Sequence, residues 1–383
     1  MTEKRKAHRG RVAVVGVGST RLGKLLGYDS YELGVWALKE ALSDAGLGIR
    51  DIDGLIVARI ADYQRFGEML GMNPRYAAIV PGQGRMSGAA IEQAVMAIEF
   101  GLADTVALVY GNNGRTAGDQ YGGDTDRYGS GGAGQWFPWG MTSPGAVHAL
   151  MFQRHAHLYG TTAEQLGTIP VTFRDHAALN PAAVMRDRIS LADYLASRYV
   201  CEPLHVFDYC LINDGGVALI LTRADRAKDA RKKPVYIRGF AQATALADST
   251  MPAEDFWYAP MQAVAKQAYD MAGVGPADFD ALMIYDNFSP TVLFSLEGFG
   301  FCKVGESGAW IQGNRLGLGG EYPTNPSGGH LSESYMQGWA LNAEAVRQIR
   351  GECGERQVAR CETVFYCCAA PLVTSVIYGS EPT

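Results

Sequence analysis

Short, continuous apolar runs alternate with longer amphipathic ones along most of the chain. Val12-Ala13-Val14-Val15-Gly16-Val17, residues 105–109, residues 281–284 and residues 362–366 are each of strand length and show little alternation. Runs of that kind set between helical periods mark largely buried strands in sheets covered by helices. One stretch occurs twice: residues 37–57 read helix, glycine stop, short polar turn and strand, and residues 264–284 repeat that order. A second pair begins at Ser87 and Ser334, where a helical pattern leads to the strand at 105–109 in one case and at 362–366 in the other. Repeats matched in this order imply a duplicated α/β unit. The halves are expected at residues 10–230 and 231–383, with the polar segment 226–234 between them and an insertion at 112–210. The insertion holds a glycine-rich run at 129–134 followed by Trp136, Phe137, Pro138 and Trp139, an aromatic patch suited either to a substrate wall or to a subunit contact.

Composition narrows the function more than the fold. With 47% hydrophobic and 19% charged residues, the 383-residue chain can bury a large core. Its 47 glycines gather near expected strand ends, where backbone turns tightly or approaches a ligand. A formal charge of -6 gives no electrostatic reason to expect nucleic acid or an anionic membrane as partner. No apolar stretch reaches membrane-spanning length and no secretory leader is visible, so a cytoplasmic location is expected. The seven cysteines are odd in number and lack both disulfide-framework and metal-knuckle spacing, which makes most of them small buried hydrophobes. His155 and His157, two apart, suit no metal clamp, and no metal site is expected. Gly16-Val17-Gly18 follows a strand, but Ser19-Thr20-Arg21-Leu22-Gly23 fails the dinucleotide spacing. A phosphate-loop lysine, a His-Glu-x-x-His helix and a Gly-x-Ser-x-Gly elbow are also missing from the sequence.

The candidate chemistry lies in two tyrosines fifty residues apart. Tyr285 closes the run 281–284, where a strand delivers a side chain, and Tyr335 follows the glycine turn in Asn325-Pro326-Ser327-Gly328-Gly329-His330. A phenol titrates near pH 10, so its use as a base at neutral pH calls for a nearby positive charge, a proton relay or concerted transfer. Arg85, Asp286 and His330 are the candidate supporting groups.

The duplicated halves, the Ser87-Gly88-Ala89-Ala90 helix start and the Asn325 to Gly329 turn together resemble the thiolase superfamily, specifically its sterol-carrier or lipid-transfer branch. Residues 213–219 and 296–306 are similar to further motifs of that branch, so the resemblance covers nearly the whole chain. It implies a thiolase-like duplicated α/β fold with mixed sheets and covering helices. The chain departs from the family at its chemistry. Arg85 stands where the acyl-accepting cysteine is expected, and an arginine, always protonated, is no nucleophile. In Tyr285-Asp286-Asn287-Phe288 and in Ser334-Tyr335-Met336 a tyrosine replaces the family histidine.

These replacements resemble a narrower group, the coenzyme A-dependent steroid side-chain aldolases. That likeness implies retro-aldol cleavage of a β-hydroxyacyl-CoA to a ketone or aldehyde and a shortened acyl-CoA. Coenzyme A enters as part of the thioester substrate, with no permanent cofactor. The implied catalytic residues are Tyr285, Tyr335, His330 and Asp286, with Gly328 and Gly329 supporting an enolate and Arg85 and Asn287 supporting the site. The likeness also implies a homodimer joined by a small companion with an OB fold and a zinc ribbon into a heterotetramer. Phe288, Phe294 and the aromatics at 136–139 suggest a large apolar acyl group. Two alternatives stay open: an acyltransferase using a displaced cysteine, Cys367 or Cys368, and a noncatalytic acyl-CoA-binding subunit.

Overall fold

The computed structural model describes residues 9–82, 84–119, 143–246 and 253–382. Its strands are β1 (Val12–Ser19), β2 (Gly54–Ala58), β3 (Tyr76–Val80), β4 (Thr105–Asn112), β5 (Tyr199–Cys201), β6 (Leu204–His205), β7 (Gly215–Arg223), β8 (Val235–Thr244), β9 (Ala281–Ile284), β10 (Thr363–Cys368) and β11 (Leu372–Gly379). Nine of them form one sheet in the order β3-β2-β4-β7-β1-β8-β11-β10-β9. The order is nearly palindromic about the β1–β8 junction, where Ala13 pairs with Tyr236 and Val14 with Val235. On each side a parallel pair (β2–β4, β9–β10) is followed by antiparallel pairing toward the centre. The place of β3 beside β2 is taken in the second half by a single parallel bridge from Thr324 to Leu282. The duplication expected from the sequence is thus a duplication of sheet topology.

Eight helices bear on the site: α1 (Ser30–Ala45), α2 (Met86–Glu99), α3 (Pro144–Tyr159), α4 (Ala163–Ala178), α5 (Tyr258–Ala272), α6 (Ser289–Gly298), the short turn α7 (Gly329–Ser332) and α8 (Trp339–Arg350). Strand alternation sorts side chains onto the two sheet faces. Val12 and Val14 of β1 join Val364, Tyr366 and Cys368 of β10 in one core with α2 and α8. Ala13 and Val15 face α1 in a second core, whereas Phe365 and Cys367 face α5 and α6 in a third. The third core also takes Phe152, Leu166 and Phe173 from α3 and α4, so the described part of the insertion from the first half packs on the second half.

Helix α1 is stopped by Gly46 in the left-handed region and opened by a capping box between Asp29 and Glu32. Its repeat α5 ends likewise at Gly273. The second repeated pair is less regular than expected. Helix α2 starts at Met86 beside Ser87, but α8 starts only at Trp339, because Gln337 (φ 49°) and Gly338 (φ 84°) turn the chain through the left-handed region. The helical pattern expected from Ser334 is therefore a loop over its first residues, and that loop carries Tyr335. Among the described residues no helix is long and apolar enough to cross a membrane. The aromatic patch at 136–139 and the glycine run before it lie outside the described residues.

Candidate active site

Strand β9 ends at Ile284, and Tyr285 and Asp286 are the next residues into the interior. Asn325 fixes what faces them. Its side-chain amide donates from Nδ2 to the Ile284 carbonyl and accepts from the Ile284 amide at Oδ1, both at 2.8 Å, while its own N–H donates to Leu282. One side chain thus imitates a neighbouring strand, held at φ 48° in the left-handed region that asparagine tolerates. From this anchor the chain turns through Gly328 (φ 102°) and Gly329 (φ 62°). A Cβ at Gly329 would overlap the Asp286 carboxylate, so only glycine fits there.

The carboxylate of Asp286 accepts the amides of His330 (2.9 Å) and Leu331 (3.2 Å) and so caps α7. Burial pushes its pKa well above the ordinary value, against the lowering effect of those amides. The His330 Nε2 accepts the Gly338 N–H at 2.9 Å, which places the ring proton on Nδ1. Nδ1 lies 3.3 Å from Asp286 Oδ1 without hydrogen-bond geometry. Burial lowers the His330 pKa to about 3, so the ring is neutral at pH 7 and its contact with Asp286 is no salt bridge.

Around this ring the two tyrosines meet. Tyr285 packs edge-on against His330 with centroids 4.6 Å apart, and Tyr335 does the same at 5.1 Å. Their hydroxyls share a hydrogen bond of 2.7 Å. Tyr285 is buried and its pKa is raised well above that of a free phenol, by desolvation first and by Tyr335 and Cys368 after it. Tyr335 is only partly buried and is the member of the pair nearer to solvent. Over the hydroxyls lies Gly84, where any Cβ would overlap the Tyr285 Oη and approach the Tyr335 Oη to 2.9 Å.

The other expected site residues serve mainly to hold the frame. The Gly328 amide donates to Asn325 O (2.9 Å) and the Gly329 amide to Ser327 Oγ (3.4 Å), so both are engaged within the turn and neither points as a free donor at an enolate. His330 has Nε2 committed as acceptor to Gly338, and its remaining ring N–H, on Nδ1, is buried beside Asp286 without a hydrogen-bond partner. Asn287 accepts the Thr291 hydroxyl (2.9 Å) at the start of α6. Arg85, partly buried, is the residue before α2, and no side chain caps that helix among the described residues. Phe294 is fully buried between Phe256 and His155 and is a core residue rather than a pocket wall; Phe288 packs on His148 and Tyr209. Cys367 and Cys368 are completely buried, and burial raises both thiols away from the reactive thiolate form. The displaced-cysteine alternative therefore has no exposed nucleophile at either position.

Several residues of the site carried no functional signal in the sequence. Gly84 was visible only as the neighbour of Arg85, and Asn325 only as part of a motif. Glu333 and Asn180 had no signal at all: Ser327 donates its hydroxyl to Glu333 (2.7 Å), and Asn180 donates to both Glu333 (3.1 Å) and Ser327 O (2.9 Å), bracing the turn from behind.

The thiolase C-terminal domain-like family model matches residues 243–374. The chain is 35% identical to a steroid side-chain-cleaving aldolase of Thermomonospora curvata, over 89% of this chain and 91% of that one. It is also 35% identical to the 17-hydroxy-3-oxo-4-pregnene-20-carboxyl-CoA lyase of Mycobacterium tuberculosis, over 89% and 92%. Among solved structures, the Ltp2-ChsH2(DUF35) aldolase superposes with a TM-score of 0.89 at 32% identity, covering 97% of this chain and 98% of that one. Fold and site define a thiolase-like protein without the thiolase nucleophile. The chain belongs to the thiolase superfamily, in the branch of its coenzyme A-dependent aldolases.

Two outcomes follow from this geometry. Gly84→Ala leaves both phenols in the chain but forces them apart, and is expected to lower activity about 100-fold while the protein stays folded with a melting temperature lowered by the overlap; activity and thermal melts on the same preparation check it. Glu333 has its pKa raised to about 7, by burial and then by Glu344, with Ser327, Arg356 and Arg347 opposing. Below pH 4.5 both folded and unfolded states hold the proton. As pH rises from there through 7 the unfolded state releases it first, so stability is lost across that window, by an amount on the order of 3 kcal/mol. Glu333→Gln should flatten this part of the stability profile, measured by denaturation at pH 5 and pH 7.5.

Proposed function

We propose that this protein cleaves the Cα–Cβ bond of a β-hydroxyacyl-CoA with a steroid-derived acyl group, releasing a ketone or aldehyde and a shortened acyl-CoA. The observation that carries the reading is the 2.7 Å bond between the Tyr285 and Tyr335 hydroxyls, at the two positions where the superfamily is expected to hold histidines. Tyr335, the more accessible phenol, takes the β-hydroxyl proton as the carbonyl forms. The electrons of the breaking bond pass to the thioester as an enolate, and a proton is returned to the α-carbon from Tyr285, directly or through water. A proton passed from Tyr335 to Tyr285 along their hydrogen bond restores both phenols and balances the step. The high pKa of Tyr285 keeps it protonated and ready to donate at neutral pH, and Tyr335 gives its own proton to Tyr285 as it takes the substrate's, so neither phenol carries a charge. Stabilisation of the enolate oxygen is assigned in this reading to the first-turn amides and dipole of α2, which starts two residues beyond Gly84. Asp286 and His330 hold the phenols in place.

The names of the two aldolase and lyase relatives support a steroid acyl group, and the paired name of the Ltp2-ChsH2(DUF35) aldolase supports a companion subunit. For this chain we propose a homodimer with a small OB-fold and zinc-ribbon companion. The edge strand β3 with exposed Ile79, and the exposed Met96, Phe100 and Leu102 at the far end of α2, favour a second copy as cover. A monomer in size measurements, both alone and with the companion, would reject the assembly.

Tyr335→Phe and Tyr285→Phe test the chemistry in the assembled complex. Cleavage is measured separately from deuterium exchange at the α-carbon of the shortened acyl-CoA. Loss of cleavage with retained exchange is expected for Tyr335→Phe, and loss of exchange for Tyr285→Phe. Near-normal cleavage by both folded variants would reject the mechanism, and a labelled acyl-enzyme would favour the acyltransferase.

A further inference from the structure

Three ring side chains beside the site each bury a polar atom that has no hydrogen-bond partner: His148 Nε2, Trp257 Nε1 and Tyr209 Oη. They belong to one neighbourhood. The His148 ring lies 4.3 Å from that of Phe288 and 5.9 Å from that of Trp257; Tyr209 packs edge-on against Phe288 at 5.0 Å. A Cβ on Gly145, one turn before His148 on α3, would overlap the Tyr209 ring and approach its hydroxyl to 2.6 Å, which brings Tyr209 to the same helix. His148 and Trp257 are 5% and 3% exposed, so neither polar atom reaches bulk water. Trp257 and the preceding Phe256 both adopt left-handed backbone, at φ 63° and 55°, a conformation bulky residues rarely hold without a reason in their surroundings.

The chemistry of the three atoms specifies what would satisfy them. His148 Nδ1 lies 2.8 Å from the Pro144 carbonyl, which can only accept, so the ring proton is on Nδ1 and Nε2 presents a lone pair. Burial lowers the pKa of this histidine to about 4, and the lone pair persists at neutral pH. The indole N–H of Trp257 only donates, and the Tyr209 hydroxyl can do either. A ketone or ether would leave Nε2 unpaired, a carboxylate would face its lone pair, and an ammonium would face the indole donor. An alcohol has the matching functions: its O–H can donate to His148 and its oxygen can accept from Trp257 or Tyr209.

The position argues for the acyl group as the source of that alcohol. Residues 209 and 288 form an antiparallel bridge, and Cys210 N–H donates to Asn287 O, so the cluster is built on the segment that follows Tyr285. Phe288 is three residues beyond Tyr285, roughly 10 Å at most along an extended chain. Aromatic packing around the atoms suits a hydrocarbon carrying one hydroxyl. We propose that His148, Trp257 and Tyr209 form a subsite recognising a second hydroxyl on the hydrocarbon part of the acyl substrate, distinct from the β-hydroxyl at the cleaved bond. This deepens the aldolase reading and rests on it for the identity of the ligand.

The test uses acyl-CoA esters that each carry one added hydroxyl at a different carbon of the hydrocarbon part, beside the parent lacking it. Both cleavage and equilibrium binding are measured, the latter with esters lacking the β-hydroxyl so that affinity is read without turnover. The full chain is compared with Tyr209→Phe and His148→Phe, which keep ring packing. We expect one hydroxyl position to improve binding and kcat/KM roughly 10- to 100-fold over the parent, the effect of satisfying an otherwise unpaired buried site. Each variant should lose most of that preference, read within the same variant as the ratio of the hydroxylated ester to the parent. Equal affinities of the wild type for all esters would overturn the proposal and leave water as the occupant. Weaker binding of free coenzyme A by the variants would overturn it in favour of an alcohol on the coenzyme. Selective binding without any cleavage would uphold the subsite and reject the aldolase reading, so the two fail separately.

Discussion

A hydrogen bond between two phenols, one of them sealed from water, sets what the rest of this site must accomplish. A phenol ordinarily titrates well above neutral pH, and burial drives Tyr285 further up. What the pair gains at 2.7 Å is a path along which a proton passes without leaving a charge in a dry interior. That path depends on the Oη–Oη distance, and the distance depends on three chain segments meeting: the end of β9, the loop before α8 and the loop before α2.

Each segment is tied by a different device. Asn325 joins the glycine turn to β9 by copying a strand's hydrogen bonds, and Asp286 grips the other side of that turn through two amides. The loop of Tyr335 is fixed by Gly338, whose amide binds His330 and whose missing side chain leaves room for Ser87 and Tyr366, themselves hydrogen-bonded at 2.7 Å. The loop before α2 is held to the Tyr335 loop by Gln337, which donates to the Gly82 carbonyl at 3.1 Å. The two phenols, at the positions where the superfamily is expected to hold histidines, are thus held by a polar framework drawn from all three segments.

Much of this was legible from one-dimensional pattern. The repeat at 37–57 and 264–284 forecast equivalent helix-to-strand units, because a helix stop at Gly46 or Gly273 and a buried strand are local properties. Tyr285 and Tyr335 could be found because each interrupts a recognisable motif. The partners of the turn could not be. Glu333, Asn180 and Gly84 act through contacts between segments far apart in sequence, and nothing in their own neighbourhoods distinguishes them from surface polar residues or an ordinary loop glycine. The partners of the Gly328 and Gly329 amides were out of reach for a related reason: hydrogen-bond capacity can be counted in sequence, but whether an amide is already occupied depends on the fold.

The central claim is that the two phenols act as one unit. Its most direct measurement is a double-mutant cycle on kcat/KM for C–C cleavage, comparing Tyr285→Phe, Tyr335→Phe and the combined variant in the assembled complex. If a proton must travel the bond between them, either single substitution breaks the path, and the combined variant should lose little beyond the roughly 1,000-fold loss of the worse single one. Losses that multiply, so that the double variant falls by the product of the two singles, would mean that the hydroxyls work independently and would contradict the account.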